Sequence, residues 1–190
     1  MVKGKEMVNL EKLRSELSSV PDDYIILIET TADKASELSL AAMKILTDKN
    51  DNGFVISANR PYSNLMTNYE RNDIDTKKVF VLDLISKNQN ADVKAQNVMF
   101  MNNASSLTEI SLSVNNYIKK VNGKTFVFFD SITTMLIHNE PYVFARFIHS
   151  ILTRMRVNGV GGLLISLTDQ TNKEVRAEIA QLCDKVIKIE

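Results

Sequence analysis

Tyr24-Ile-Ile-Leu-Ile28 is an apolar run with no polar alternate, and Thr125-Phe-Val-Phe-Phe129 is another. A strand with one wet face alternates apolar and polar residues; one covered on both faces does not. Short continuous runs of this kind belong to parallel sheets held between two helical layers. Gly53-Phe-Val-Ile-Ser57, Val79–Leu84 and Gly162–Leu167 read the same way, with Asn97–Met101 as a short extra strand. Lys185-Val-Ile-Lys-Ile189 alternates, which fits an exposed or edge strand.

Between these runs the period changes to that of a helix. Residues 6–19 carry Met7, Leu10, Leu13 and Leu17 in a stripe closed by Pro21, Asp22 and Asp23. Residues 33–48 set Leu38, Ala41, Ala42, Ile45 and Leu46 on one face; residues 61–70, 106–120 and 172–182 are further helices. In 106–120 the inward positions are Leu107, Ile110, Val114, Tyr117 and Ile118. Residues 140–157 predict the clearest helix, burying Val143, Phe144, Phe147, Ile148, Ile151, Leu152 and Met155. Its Arg146, Arg154 and Arg156 face water, and Asn158-Gly159 stops it. Strands alternating with helices imply right-handed crossovers and a three-layer α/β/α domain around a mostly parallel sheet. No linker or internal repeat interrupts residues 1–190, so the expectation is one domain with an N-terminal helix over 1–20.

Composition narrows the functional classes. Of 190 residues 44% are hydrophobic and 24% charged, ordinary for a globular protein. Basic and acidic residues both number 23, which speaks against a dominant nucleic-acid surface. The single cysteine, Cys183, fits a reducing compartment, no apolar run reaches the roughly 20 residues of a membrane span, and residues 1–20 lack a signal-peptide core. The expectation is a cytoplasmic protein without membrane insertion. Met7, Met43, Met66, Met99, Met101, Met135 and Met155 read mostly as core filling. His138 and His149 have no metal-ligand spacing with Cys183 or with an acid pair, and no Gly-x-Ser-x-Gly elbow is present.

The run 125–129 ends in Asp130-Ser131, an acid and a hydroxyl at a strand end. This segment, Phe126-Val-Phe-Phe-Asp130-Ser131-Ile-Thr133, resembles the Walker B strand of the RecA superfamily, in particular of KaiC-like ATPases of archaeal type. Gly53–Asn59 is similar to that family's second strand. The helix at 140–157 with Gly161–Thr168 resembles the next helix and strand, and Cys183–Ile189 the closing strand. The resemblance spans roughly residues 20–190 and implies a RecA-like fold with a nucleotide crevice at the strand ends. It also implies Mg²⁺ held by Asp130 and subunits assembling side by side.

Two departures weigh against that chemistry. The family's phosphate loop belongs between Ile28 and Asp33, where this chain has Glu29-Thr-Thr-Ala-Asp-Lys34-Ala-Ser36-Glu37 without a glycine. A phosphate cradle needs glycines so that successive N–H groups turn toward the anion. Lys34 and Ser36 have the wrong spacing for a Lys-Ser/Thr pair. In place of the glutamate that polarises water, the chain offers Ser57-Ala-Asn59-Arg60, and an amide cannot accept a proton as a carboxylate does. Gly123-Lys124-Thr125 imitates the end of a Walker A motif but precedes a strand, and reads as a turn.

The sequence therefore predicts a pseudo-ATPase that uses no cofactor and works through a protein partner or self-assembly. The alternative is a switch binding ATP and Mg²⁺ at Thr30, Thr31, Lys34, Ser36, Asp130 and Ser131, with the metal on Asp130. A nucleic-acid module ranks third. Thr168 and Asp169 are expected to face the same crevice. The N-terminal helix either packs on its own domain or docks on another chain; the stripe alone allows both.

Overall fold

The computed structural model describes residues 2–89, 95–101, 103–168 and 172–189. The elements are α1 (Val2–Ser18), β1 (Ile25–Thr30), α2 (Ala32–Lys49), β2 (Asn52–Ser57), α3 (Tyr62–Arg71) and β3 (Val79–Asp83). They continue with β4 (Val98–Phe100), α4 (Leu107–Lys120), β5 (Thr125–Phe129), α5 (Ile132–Ile137), α6 (Pro141–Val157), β6 (Gly161–Leu167), α7 (Lys173–Leu182) and β7 (Lys185–Ile189). The strands form one sheet in the order β4-β3-β2-β5-β6-β1-β7, and every pairing is parallel. The alternating run at 185–189 is indeed an edge strand.

The unbroken apolar runs feed two cores by turns. Ile26, Ile28, Val55, Phe126 and Phe128 point into one core with Leu13, Leu17, Leu38, Met43 and Tyr69 of α1, α2 and α3. Ile25, Leu27, Phe54, Val127 and Phe129 point into the other with residues of α4, α5, α6 and α7. Helices thus cover both faces, and the three-layer expectation holds.

The N-terminal helix settles on its own domain. Leu13 and Leu17 are 0% and 2% exposed. Lys49 Nζ donates to the Leu17 and Val20 carbonyls at 3.2 Å each, near the carbonyl end of α1. Lys12 Nζ donates to the Lys188 carbonyl at 2.9 Å, and Lys185 pairs with Glu16. The side chain of Met7 lies outside the described residues.

Three expectations need correction. Helix α5 gave no periodic signal because it is six residues long; the Ser131 hydroxyl starts it by accepting the Thr134 N–H at 3.1 Å. Val143 is 51% exposed, since Phe144, Phe147, Ile148, Ile151, Leu152 and Met155 fix the buried face of α6 and leave Val143 at its border. Met99 is 45% exposed, on the short edge strand β4. The two turns read from glycine stand: Gly123 (φ +96°) precedes β5, and Gly159 (φ +64°) ends α6, where the Val160 N–H reaches back to the Met155 carbonyl at 2.9 Å. Among the described residues no helix is long and apolar enough to cross a membrane.

One glycine is required by close approach. A Cβ on Gly161 would stand 2.1 Å from the Asp22 carbonyl oxygen, a backbone atom that cannot swing aside. Gly161→Ala is expected to lose about 2–3 kcal/mol in urea unfolding, the scale of overpacking against rigid neighbours. Gly159→Asn serves as the control: nothing lies within 4 Å of the added Cβ, and asparagine tolerates a positive φ, so the cost should stay under about 1 kcal/mol.

Candidate functional site

Parallel strands end together, so the carboxyl edge gathers Thr30 of β1, Ser57 of β2, Asp83 of β3, Asp130 after β5 and Leu167 of β6. The first question is what joins β1 to α2. A single residue does: β1 ends at Thr30, α2 begins at Ala32, and Thr31 between them is extended (φ −86°, ψ 158°). The Lys34 and Ala35 N–H groups turn back onto the Thr31 carbonyl at 3.2 and 3.1 Å, as in any helix start. Thr30 is fully buried, and its hydroxyl has no hydrogen-bond partner among the described residues.

The carboxylate just before Thr30 is also committed. Glu29, 6% exposed, meets Arg176 Nε of α7 at 3.3 Å and Lys188 Nζ of β7 at 3.2 Å. A buried acid between two cations is tolerated because pairing offsets much of its desolvation.

Asp130 is held from the side. Its Oδ1 accepts the Ala58 N–H at 2.9 Å; its Oδ2 accepts from the Ser57 hydroxyl at 2.9 Å and the Asn59 N–H at 3.3 Å. Residues 57–59 follow directly from β2, the neighbour of β5, so sheet order alone brings them there. At 9% exposure, burial pushes the Asp130 carboxyl above the usual carboxylate range, and these donors oppose that shift only in part.

The Ser57 hydroxyl is one of the donors that oppose the effect of burial. It lies 2.8 Å from the Arg60 carbonyl as well as 2.9 Å from Asp130. A hydroxyl has one hydrogen and here faces two acceptors. Ser57 therefore shares its one hydrogen between the Asp130 carboxylate and the Arg60 carbonyl.

A cavity of about 180 Å³ lies beside Asp130, bounded by Ser36, Arg60, Tyr69 and Ser131 among others. Arg60 reaches across it to the Ser36 hydroxyl at 2.5 Å. Tyr69 is 1% exposed and its hydroxyl has no partner among the described residues; burial first, and then the Asp130 charge, raise its pKa well above that of a free phenol. Of the sequence-predicted residues, the cavity gathers Ser36, Asp130 and Ser131; Thr30, Thr31 and Lys34 are not among those lining it. Thr168 bonds back to the Thr30 carbonyl through its N–H at 2.9 Å, and Asp169 lies outside the described residues. Asn59, which the sequence offered as the nearest candidate for the position of a glutamate, is exposed and accepts the Thr134 hydroxyl at 2.5 Å.

Sequence reasoning passed over Asp83. It is fully buried and accepts four hydrogen bonds: from the Ile85 and Ser86 N–H groups at 2.7 and 2.9 Å, the Tyr62 N–H at 2.7 Å and the Ser86 hydroxyl at 2.6 Å. It fastens the start of α3 to the end of β3. The signal was present, since Val79-Phe-Val-Leu-Asp83 repeats the pattern of Phe126-Val-Phe-Phe-Asp130.

Residues 38–190, more than half of the chain, match the family model described as ATPase: KaiC. The chain belongs to the KaiC ATPase family. The match begins at Leu38, after the β1–α2 junction. A search of curated proteins finds no match. Among solved structures, this KaiC-family chain is similar to the flagellar accessory protein FlaH from Methanocaldococcus jannaschii, at 12% identity and a TM-score of 0.65, covering 90% of this chain and 73% of that one. It is similar to the protein PH0321 from Pyrococcus horikoshii, in complex with an unknown peptide, at 13% identity and a TM-score of 0.71, covering 95% and 82%. It also resembles the KaiC-like protein PH0186 from Pyrococcus horikoshii OT3, at 10% identity and a TM-score of 0.60, covering 90% and 73%. These likenesses carry the RecA-like fold.

Proposed function

We propose that this KaiC-family protein is a non-catalytic member, a regulatory or scaffold subunit that acts through protein contacts. The observation that carries the reading is the one-residue, glycine-free junction at Thr31. A phosphate loop wraps its anion with successive inward N–H groups, and a strand passing into a helix through one extended residue has none to offer beyond the helix start.

The rest of the edge supports the same reading. Both Asp130 oxygens are engaged by residues 57–59, and Arg60 with Ser36 crosses the space a polyphosphate needs. The cavity of about 180 Å³ falls below the roughly 300–1,000 Å³ typical of small-molecule sites. These residues do not fit a nucleotide with its Mg²⁺. On the contact side, the helical layer of α4–α6 leaves Leu112, Ile137, Tyr142 and Val143 more than half exposed. Apolar residues displayed this way suit a partner surface, and the peptide bound to the similar protein PH0321 is in keeping with that role.

The reading is tested by steady-state phosphate release. The purified protein with ATP and Mg²⁺ should release phosphate no faster than buffer, and Asp130→Ala should change nothing. Mg²⁺-dependent turnover that Asp130→Ala abolishes would overturn it.

A further inference from the structure

A second cavity lies at the opposite, amino edge of the sheet, where β2 and β3 begin and the last turns of α4 pass over them. Its volume is about 540 Å³, inside the range of small-molecule sites that the Asp130 cavity misses. Phe80 and Tyr117 line it as one packed surface, 5.6 Å apart between ring centroids and both packed on the buried ring of Phe54, at 5.7 and 4.8 Å. Phe80 and Tyr117 themselves stay only partly buried, and Met99 beside them is 45% exposed. The fold thus stops short of covering an aromatic surface.

The charges around it have one sign. Among the described residues the lining contains Lys77, Lys78 and Lys120 and no Asp or Glu. Lys78 is spent on the Thr47 and Asn50 carbonyls at 2.8 and 3.0 Å. Lys77 and Lys120 have no carboxylate within ion-pair distance among the described residues. The carbonyl end of α4 adds a partial charge of about −0.5, which two ammonium groups outweigh. The polar amide of Asn97 is already occupied by the Tyr62 hydroxyl at 2.7 Å and the Val79 carbonyl at 3.0 Å. What remains on offer is a ring-lined, largely apolar pocket edged by Gln96 and Asn116, with two cations that no carboxylate among the described residues pairs.

We propose that this cavity binds a small aromatic carboxylate, its ring system against Phe80 and Tyr117 and its anion held by Lys77 and Lys120. Flat rings stack on aromatic walls in offset or tilted geometry, and an ammonium holds a carboxylate by a charge-assisted bond. The site is independent of the edge that carries Asp130, and stands whether or not the protein turns over ATP.

The test is a calorimetric titration of the full chain with 2-naphthoate, with 2-naphthylmethylammonium as a probe of similar ring and opposite charge. Saturable submillimolar binding of naphthoate is expected, with the cation at least tenfold weaker. Lys77→Met with Lys120→Met should weaken naphthoate at least fivefold and erase the preference. Both lysines are surface residues, so the variant should fold as the parent does. Ser113→Phe, which puts a ring into the slot from the partly exposed side of α4, should abolish binding with an unchanged circular dichroism spectrum. Absence of saturation at millimolar probe, equal binding of both probes, or binding that survives Ser113→Phe would each overturn the proposal.

Discussion

Asp83→Ala is expected to unfold in urea with a loss of about 3–5 kcal/mol, the largest effect of any single substitution at the carboxyl edge. The change strands three N–H groups and one hydroxyl around a fully buried position. A single orphaned buried donor costs about 1–3 kcal/mol, and four in one place do not add fully because the site relaxes. Asp83→Asn should lose less, since its carbonyl oxygen still serves two donors while its NH₂ opposes others. A loss below about 1 kcal/mol for the alanine variant would mean that Asp83 does not fasten α3 to the sheet.

Asp130→Asn should move stability the other way, raising it at pH 7 by on the order of 1 kcal/mol, the scale of one poorly compensated buried polar group. Burial, the largest cause, raises the Asp130 pKa in the folded protein above its ordinary value of 3.8. A carboxyl raised on folding binds its proton more tightly when folded. Its stabilising share is therefore complete below the unfolded value and is lost as pH climbs through the raised folded value. Asparagine is neutral at every pH and can be accommodated: Oδ1 can accept the Ala58 N–H, and Nδ2 can donate to the Ser57 oxygen, leaving the Ser57 hydrogen to the Arg60 carbonyl. Only the 3.3 Å contact with the Asn59 N–H suffers. The two proteins should match in acid and part as pH rises through that window, in melts followed by circular dichroism. A variant less stable than the parent at pH 7, or a gap that ignores pH, would contradict the account.

Two acids with one sequence signature thus have opposite effects, and the difference shows what the chain made legible. Both close an apolar strand, and that much is read from Val79–Asp83 and Phe126–Asp130. Their surroundings come from elsewhere. Asp83 receives Tyr62 from α3, 21 positions back, and Asp130 receives Ser57, 73 positions back. Such meetings depend on strand order, which alternation of strands and helices leaves open. Glu29 is similar: in the sequence only the start of a glycine-free stretch, it is an acid paired across the sheet edge with Arg176 and Lys188.

The layers were legible because burial on both faces writes itself as unbroken apolar runs, and the edge strand because Lys185 and Lys188 break the run. The missing glycines were legible too, since only glycine satisfies a phosphate cradle. The length of the β1–α2 turn was not. Thr30 and Thr31 fit an extended strand or a loop equally well, and the pairing of Thr30 with Leu167 of β6 and Ile189 of β7 decides for the strand.

That turn is the point on which the functional account rests, and calorimetry tests it most directly. The protein is titrated with ATP to millimolar concentration in Mg²⁺, beside ADP and metal-free controls. The account predicts no Mg²⁺-dependent heat, because the Thr31 junction offers no cradle and Asp130 is already engaged. Saturable, Mg²⁺-dependent binding at submillimolar ATP would contradict it and make the protein a nucleotide-controlled switch.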